Sequence, residues 1–190
     1  MSSRLRTFIA VDIEDPQILD KLMELEKRIV DTGADVKLVE RENLHITLRF
    51  LGEIPIPLVQ QVQKLLSKLS FHKFRARLRG LGAFPTPSSP RVIWVGVAEG
   101  SEELKRIYEW IESELRKLGF RPEREEFIPH VTLARVRSPR GRSELVRLLQ
   151  ELRDIEIGEI IVDKVRLKKS TLTPRGPIYT TLFEVCAQES

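Results

Sequence analysis

The order of apolar runs between residues 5 and 84 recurs between residues 90 and 173, which restricts this chain to folds built from two like halves. In the first copy the strand-like run Thr7–Val11 leads through a helical stretch and Gly33 to a second strand starting near His45. In the second copy Val92–Val97 leads through a helical stretch and Gly119 to a strand starting near His130. A helix then follows in each half. Leu58, Val62, Leu65, Leu66 and Leu69 share one face of Pro57–Leu69, as Leu145, Val146, Leu148, Leu149 and Leu152 do in Arg142–Arg153. A further strand closes each copy, over Arg75–Phe84 and Glu159–Leu172, and an extra strand is expected near 178–186. The pattern is β-α-β-α-β twice. A lone repeat of about 80 residues leaves one sheet face uncovered, so residues 1–190 are expected to form one compact bilobal domain.

The spacing of Leu104, Ile107, Tyr108, Ile111, Leu115 and Leu118 predicts a helix over Glu102–Leu118, preceded by Ser101 and ended by Gly119. Its counterpart runs from Pro16 to Val30 after Asp15. Turn residues place loops at Gly52–Pro57, 85–90, Arg137–Arg142 and 174–177, and the 85–90 cluster falls between the repeats. With 41% hydrophobic residues the chain can bury a substantial core, yet no run is long or apolar enough to span a bilayer, and no signal peptide is evident. The single Cys186, expected to be buried on the last strand, excludes an intramolecular disulfide and fits a reducing cytoplasm. The 32% charged content and the single asparagine, Asn43, suggest a thermophile. A net charge of +4 is too small for a nucleic-acid coat protein. Arg75, Arg77 and Arg79 along one strand, and Arg135, Arg137, Arg140 and Arg142 after the second histidine strand, read as solvated faces by default, although beside a phosphate site they would attract a polyanion.

Within the repeat sits a second one. His45-Ile46-Thr47 and His130-Val131-Thr132 lie 85 residues apart, each inside a strand-like run. Alternation puts His45, Thr47 and Arg49 on one face and Ile46, Leu48 and Phe50 on the other, and likewise separates His130 and Thr132 from Val131 and Leu133. Histidine exchanges protons near neutral pH, and two of them can serve the two ends of one substitution while two hydroxyls bind the phosphate between them. His72 has no threonine two residues on and is expected to be dispensable.

The segments Asn43–Glu53 (NLHITLRFLGE) and Pro129–Arg135 (PHVTLAR) resemble the two signatures of the two-histidine phosphoesterase superfamily, in its RNA 2',3'-cyclic phosphodiesterase branch, also called LigT-like 2'-5' RNA ligases. The resemblance extends to Arg6–Asp12, to Phe84-Pro85 with 90–96, and to Ser170–Pro174 with Gly176 and Tyr179. It implies an α+β fold in which two pseudo-symmetric lobes, with mainly antiparallel sheets, face a central cleft. It implies His45 and His130 as catalytic acid and base, Thr47 and Thr132 as phosphate donors, and no cofactor or metal. The implied reaction opens an RNA 2',3'-cyclic phosphate to a 2'-phosphate, with 2'-5' ligation as its reverse. The family's arginine matches Arg135, which would bind substrate. Strict alternation points Arg135 away from His130 and Arg49 into the cleft; a bulge after Thr132 would re-aim Arg135.

Several alternatives stay open at this stage. The threonines and histidines recognise only phosphate, so another cyclic phosphate or a 2'-5'-linked oligonucleotide fits equally, and a non-catalytic RNA-end-binding module is the rival from a different class. Neither motif carries an acidic residue beside its histidine on the same face, which argues against a two-metal centre. Phe8 and Phe84 could stack on a base, with a core role expected for Phe8. A monomer acting on RNA, away from membranes, is expected. The order of acid and base is open.

Overall fold

A computed structural model describes residues 3–189. Strands β1 (Arg4–Asp12), β2 (Val36–Leu38), β3 (His45–Pro55), β4 (Phe74–Thr86), β5 (Ser89–Val97), β6 (His130–Val136), β7 (Glu156–Val162), β8 (Lys164–Thr173) and β9 (Gly176–Cys186) alternate with helices α1 (Pro16–Asp31), α2 (Ile56–Leu66), α3 (Ser101–Lys117) and α4 (Arg142–Glu151). The class is α+β and the named strands pair antiparallel, as expected. Eight strands run in the order β7-β4-β5-β6-β3-β1-β8-β9, with β2 added beside β6. The order is that of two four-stranded halves, β7-β4-β5-β6 and β3-β1-β8-β9, joined by the single pairing of Ile46 with Val131. Strand β4, from the first repeat, pairs with β5 and β7, whereas β8, from the second, pairs with β1. Each half-sheet is therefore built from both repeats.

The helices follow their apolar spacing. In α1 the Asp15 carboxylate accepts from the Gln17 amide at 2.9 Å, Pro16 opens the helix, and Ile18, Leu22, Leu25 and Ile29 are buried. In α3 the buried set is Leu104, Ile107, Ile111 and Leu115, and the helix starts at Ser101 because Gly100, at φ 93°, turns the chain into it. These faces share one core with Ile46, Leu48, Val131 and Leu133, on the side of the sheet opposite the histidines. No helix among the described residues is long and apolar enough to cross a membrane.

Four local expectations change. The loop expected at Gly52–Pro57 is strand as far as Pro55, because β1 supplies a partner all the way to Arg4 opposite Pro55. The loop at 85–90 contracts to Pro87-Ser88, since Pro85 faces Pro90 and Thr86 faces Ser89 across a hairpin. The strand expected over Glu159–Leu172 is two strands in different half-sheets. Its buried positions shift from Ile160 and Val162 to Val165 and Leu167, with Asp163 at the crossing. Cys186 is exposed because it ends β9, the outer strand of its half.

Bulges decide which side chains reach the histidine face. On β1 Ala10 faces Thr47 and Ile9 faces Arg49, so Leu48 is an extra residue. Arg49 is thereby turned away from the histidines, correcting its expected position. It is buried against Glu112 of α3, pairs with Glu123 at 3.2 Å, and donates to the Phe50 and Arg121 carbonyls at 2.6 Å. Removing one partner of such a buried pair costs about 3–5 kcal/mol, because the other charge is stranded.

Glu26 is another buried ionisable side chain, and it has no such partner. Its side chain lies on the core face of α1, neither oxygen has a hydrogen-bond partner, and burial, reinforced by Glu40, pushes its carboxyl up to about 8. A carboxyl that holds its proton in the folded state favours folding below about pH 4.5 and loses that advantage as pH rises through about 8. Glu26→Leu is expected to be more stable than wild type at pH 8 by about 1–3 kcal/mol, with a smaller gap at pH 4.5, in urea unfolding at both pH values.

Candidate active site

Strands β3 and β6 meet antiparallel at Ile46 and Val131, both fully buried toward the helices. That register sets Thr132 opposite His45 and His130 opposite Thr47, so all four polar side chains emerge on the other face around one local two-fold axis. Each is partly buried. The two imidazoles are held alike. His45 Nδ1 lies 2.7 Å from the Asn43 carbonyl, and His130 Nδ1 lies 2.6 Å from the Ile128 carbonyl. Each Nδ1–H donates to its carbonyl, which leaves the Nε2 lone pair of the neutral ring facing the cleft. At His45 that nitrogen accepts from the Thr47 hydroxyl at 2.8 Å. Asn43, itself buried, donates from Nδ2 to the Pro177 carbonyl at 2.9 Å, which ties the histidine's anchor to the β8–β9 hairpin.

Burial pushes both histidines below their ordinary value. For His45 the Asn43 carbonyl and Asp12 pull the other way, and Lys168 and His130 add to the lowering. For His130 the Ile128 carbonyl opposes burial and Arg135 adds to it. Both rings are therefore neutral in the free protein at neutral pH.

The second motif carries the same bulge as the first. Trp94 faces Thr132 and Ile93 faces Ala134, leaving Leu133 as the extra residue. Arg135 is thereby placed on the histidine face, exposed, where its charge acts on His130 and on Tyr179. The matching position of β3 is Phe50, five residues after its histidine as Arg135 is after its own, and 56% exposed. Phe8 is buried, with its ring centroid 5.1 Å from His45, 4.8 Å from Tyr179 and 6.0 Å from Phe50, so it supports the site from beneath. Phe84 stands edge-on to His130 at 5.0 Å and against Trp94 at 5.0 Å.

Around the local axis the surroundings differ. Asp12 stands opposite His45, whereas Gly96 stands opposite His130. Burial favours the acid form of Asp12, but hydrogen bonds from Lys168 at 2.8 Å and Arg166 at 2.7 Å hold its carboxyl below the usual range. Lys168 Nζ also sits 6.0 Å over the Tyr179 ring. On the other side the Trp94 indole lies across Gly82 and Gly96; a Cβ on Gly82 would come within 2.4 Å of it. One histidine thus has an ion cluster beside it, the other an aromatic wall. A cavity of about 590 Å³ between β1 and β7 meets the site only near Asp12 and Arg166.

Asp12, Lys168, Trp94 and Tyr179 escaped the sequence reading. Asp12, Trp94 and Tyr179 lay in segments of the family resemblance but were given no role there, and Lys168 left no trace. The Arg75, Arg77 and Arg79 row is matched by Glu159, Glu99, Glu156 and Asp154 in exposed ion pairs. His72 bridges to Gln188 and is not part of the histidine face.

Comparison with known proteins places this geometry. A protein of Aeropyrum pernix named RNA 2',3'-cyclic phosphodiesterase is 49% identical over 91% of this chain and 98% of its own length. One of the same name from Methanothermobacter thermautotrophicus is 38% identical over 94% of this chain and 97% of its own. The crystal structure of Escherichia coli LigT in apo form superposes with a TM-score of 0.79, covering 99% of this chain and 100% of that one at 22% identity, which speaks for the fold. The family described as LigT like phosphoesterase matches twice in tandem, over residues 11–94 and 95–179, with one histidine motif in each match. By that double match and by its relatives, the chain is an enzyme of the LigT-like, two-histidine phosphoesterase family.

Proposed function

We propose that this protein hydrolyses the 2',3'-cyclic phosphate end of an RNA to a 2'-phosphate, using His45 and His130 as the proton-transfer pair and no metal. The observation that carries the reading is the β3–β6 pairing, which sets two Nε2 atoms and two hydroxyls on one face. The names of the relatives support the substrate. One imidazole takes a proton from water as its oxygen attacks phosphorus. The other gives a proton to the 3' oxygen as the P–O3' bond breaks. Thr47 and Thr132 donate to the non-bridging oxygens, and Arg135 offers the guanidinium for the phosphate or the terminal nucleoside. The bound anion raises the proton affinity of the nearer histidine and makes it the acid. Ligation is the same ring opening with another nucleophile and not its reverse: with an RNA 5'-hydroxyl in place of water, the P–O5' bond forms as the P–O3' bond breaks, and a 2'-5' linkage results.

Independence of metal is supported by the donor set. Among the described residues no three His, Cys, Asp or Glu side chains gather, and the acidic group beside His45, Asp12, is bonded to two cations. We place the enzyme in the cytoplasm as a monomer. An RNA-end binder is distinguished from it by turnover alone.

Purified protein in EDTA, given a short RNA with a 2',3'-cyclic end, is expected to release only 2'-phosphate. His45→Ala and His130→Ala should each lose about 10²–10⁴-fold in kcat, and Thr47→Val or Thr132→Val about 10²–10³-fold. Loss of activity in EDTA that added metal restores, or a 3'-phosphate product, would refute the mechanism. Imidazole NMR of the free protein should show both rings as the Nδ1–H form, titrating below 6.5. Unfolded histidines take up protons at higher pH than these do, so the pair also withdraws stability as pH falls through and below about 6.5.

A further inference from the structure

The bulges after the two histidine motifs do the same thing to different residues. In β6 the residue turned onto the cleft face is Arg135; in β3 it is Phe50. The Phe50 ring is 56% exposed on the face that carries the histidines. Its inner edge rests on Phe8, at 6.0 Å, which in turn packs against His45. The ring is therefore backed on the side of the reacting centre and open on the other. Two arginines share its face of the sheet. Arg6 lies on β1, two residues before Phe8 and on the same face by alternation, and Arg135 lies across the cleft. The charges of both bear on Tyr179, which packs on Phe8. Neither enters an ion pair among the described residues, in contrast to the matched arginines of β4.

We infer that Phe50 is the stacking platform for the nucleotide that precedes the cyclic-phosphate end, with Arg6 receiving the phosphate that links it to the end nucleotide. The subsite rests on the reading that the substrate is an RNA end. It accounts for the open ring at the next position of the histidine face after Thr47, where a single strand leaving the reacting phosphate along β3 would arrive. Base stacking on an aromatic tolerates any base, so the subsite senses strand length and not sequence.

The test compares equilibrium binding of a nucleoside 2'-phosphate with that of a dinucleotide ending in 2'-phosphate, alongside turnover of a 2',3'-cyclic mononucleotide. Wild type should bind the dinucleotide more tightly by about 5- to 150-fold. Phe50→Ala should remove that gain and leave mononucleotide binding and turnover unchanged, while Phe50→Trp keeps it. Arg6→Gln should lower the salt dependence of dinucleotide binding by about 0.7 in logarithmic slope. Equal binding of the two ligands by wild type, or an equal loss on both in Phe50→Ala, overturns the subsite. Absence of turnover on every cyclic-phosphate substrate instead overturns the proposed reaction, and the binding ratio still decides the subsite.

Discussion

The proposed active centre depends on one backbone pairing, that of Ile46 with Val131. Two four-stranded half-sheets touch there, and the four motif side chains gather around that contact. Because side chains alternate along a strand, a slip of one residue in this register would bury the histidines and expose the two apolar residues. Ile46 and Val131, fully buried against the helices, make that slip costly. The histidine face is thus held in register from behind, by the core rather than by contacts among the polar groups.

The paired bulges add a second constraint. An extra leucine in each motif strand places two consecutive buried residues after the threonine, Leu48-Arg49 in one half and Leu133-Ala134 in the other. In one half the second of these is a charge, and α3 answers it with Glu112. The bulge therefore links the cleft lip, Phe50 or Arg135, to packing on the opposite side of the sheet.

The repeat and the two His-x-Thr motifs were legible because their information is local: spacing of 3.6 or 2 residues, and a tripeptide occurring twice. What escaped reading lies between segments. Arg49 was misplaced because nothing in Thr-Leu-Arg marks Leu48 as unpaired; only β1 reveals it. The junction at Asp163 was missed because both flanking runs are apolar and alternate, and only the phase of alternation changes. Gly52 and Pro55 signal a turn that pairing with β1 overrides. Asp12 and Lys168 come from strands more than 150 residues apart, so their meeting beside His45 is a property of the sheet order alone.

That sheet order has a consequence for symmetry. Since β4 and β8 cross to the opposite halves, the topology is that of two copies of one repeat interlocked by strand exchange, here carried on a single chain. A true pair of identical chains so arranged would surround both histidines identically, and any residue serving the water side would have to serve the leaving-group side as well. Covalent linkage lifts that obligation. It allows Asp12 on one side and Gly96 on the other, and Phe50 where the other strand has Arg135, so that in the proposed reaction a site with near two-fold geometry can treat the two ends of a phosphodiester as different groups.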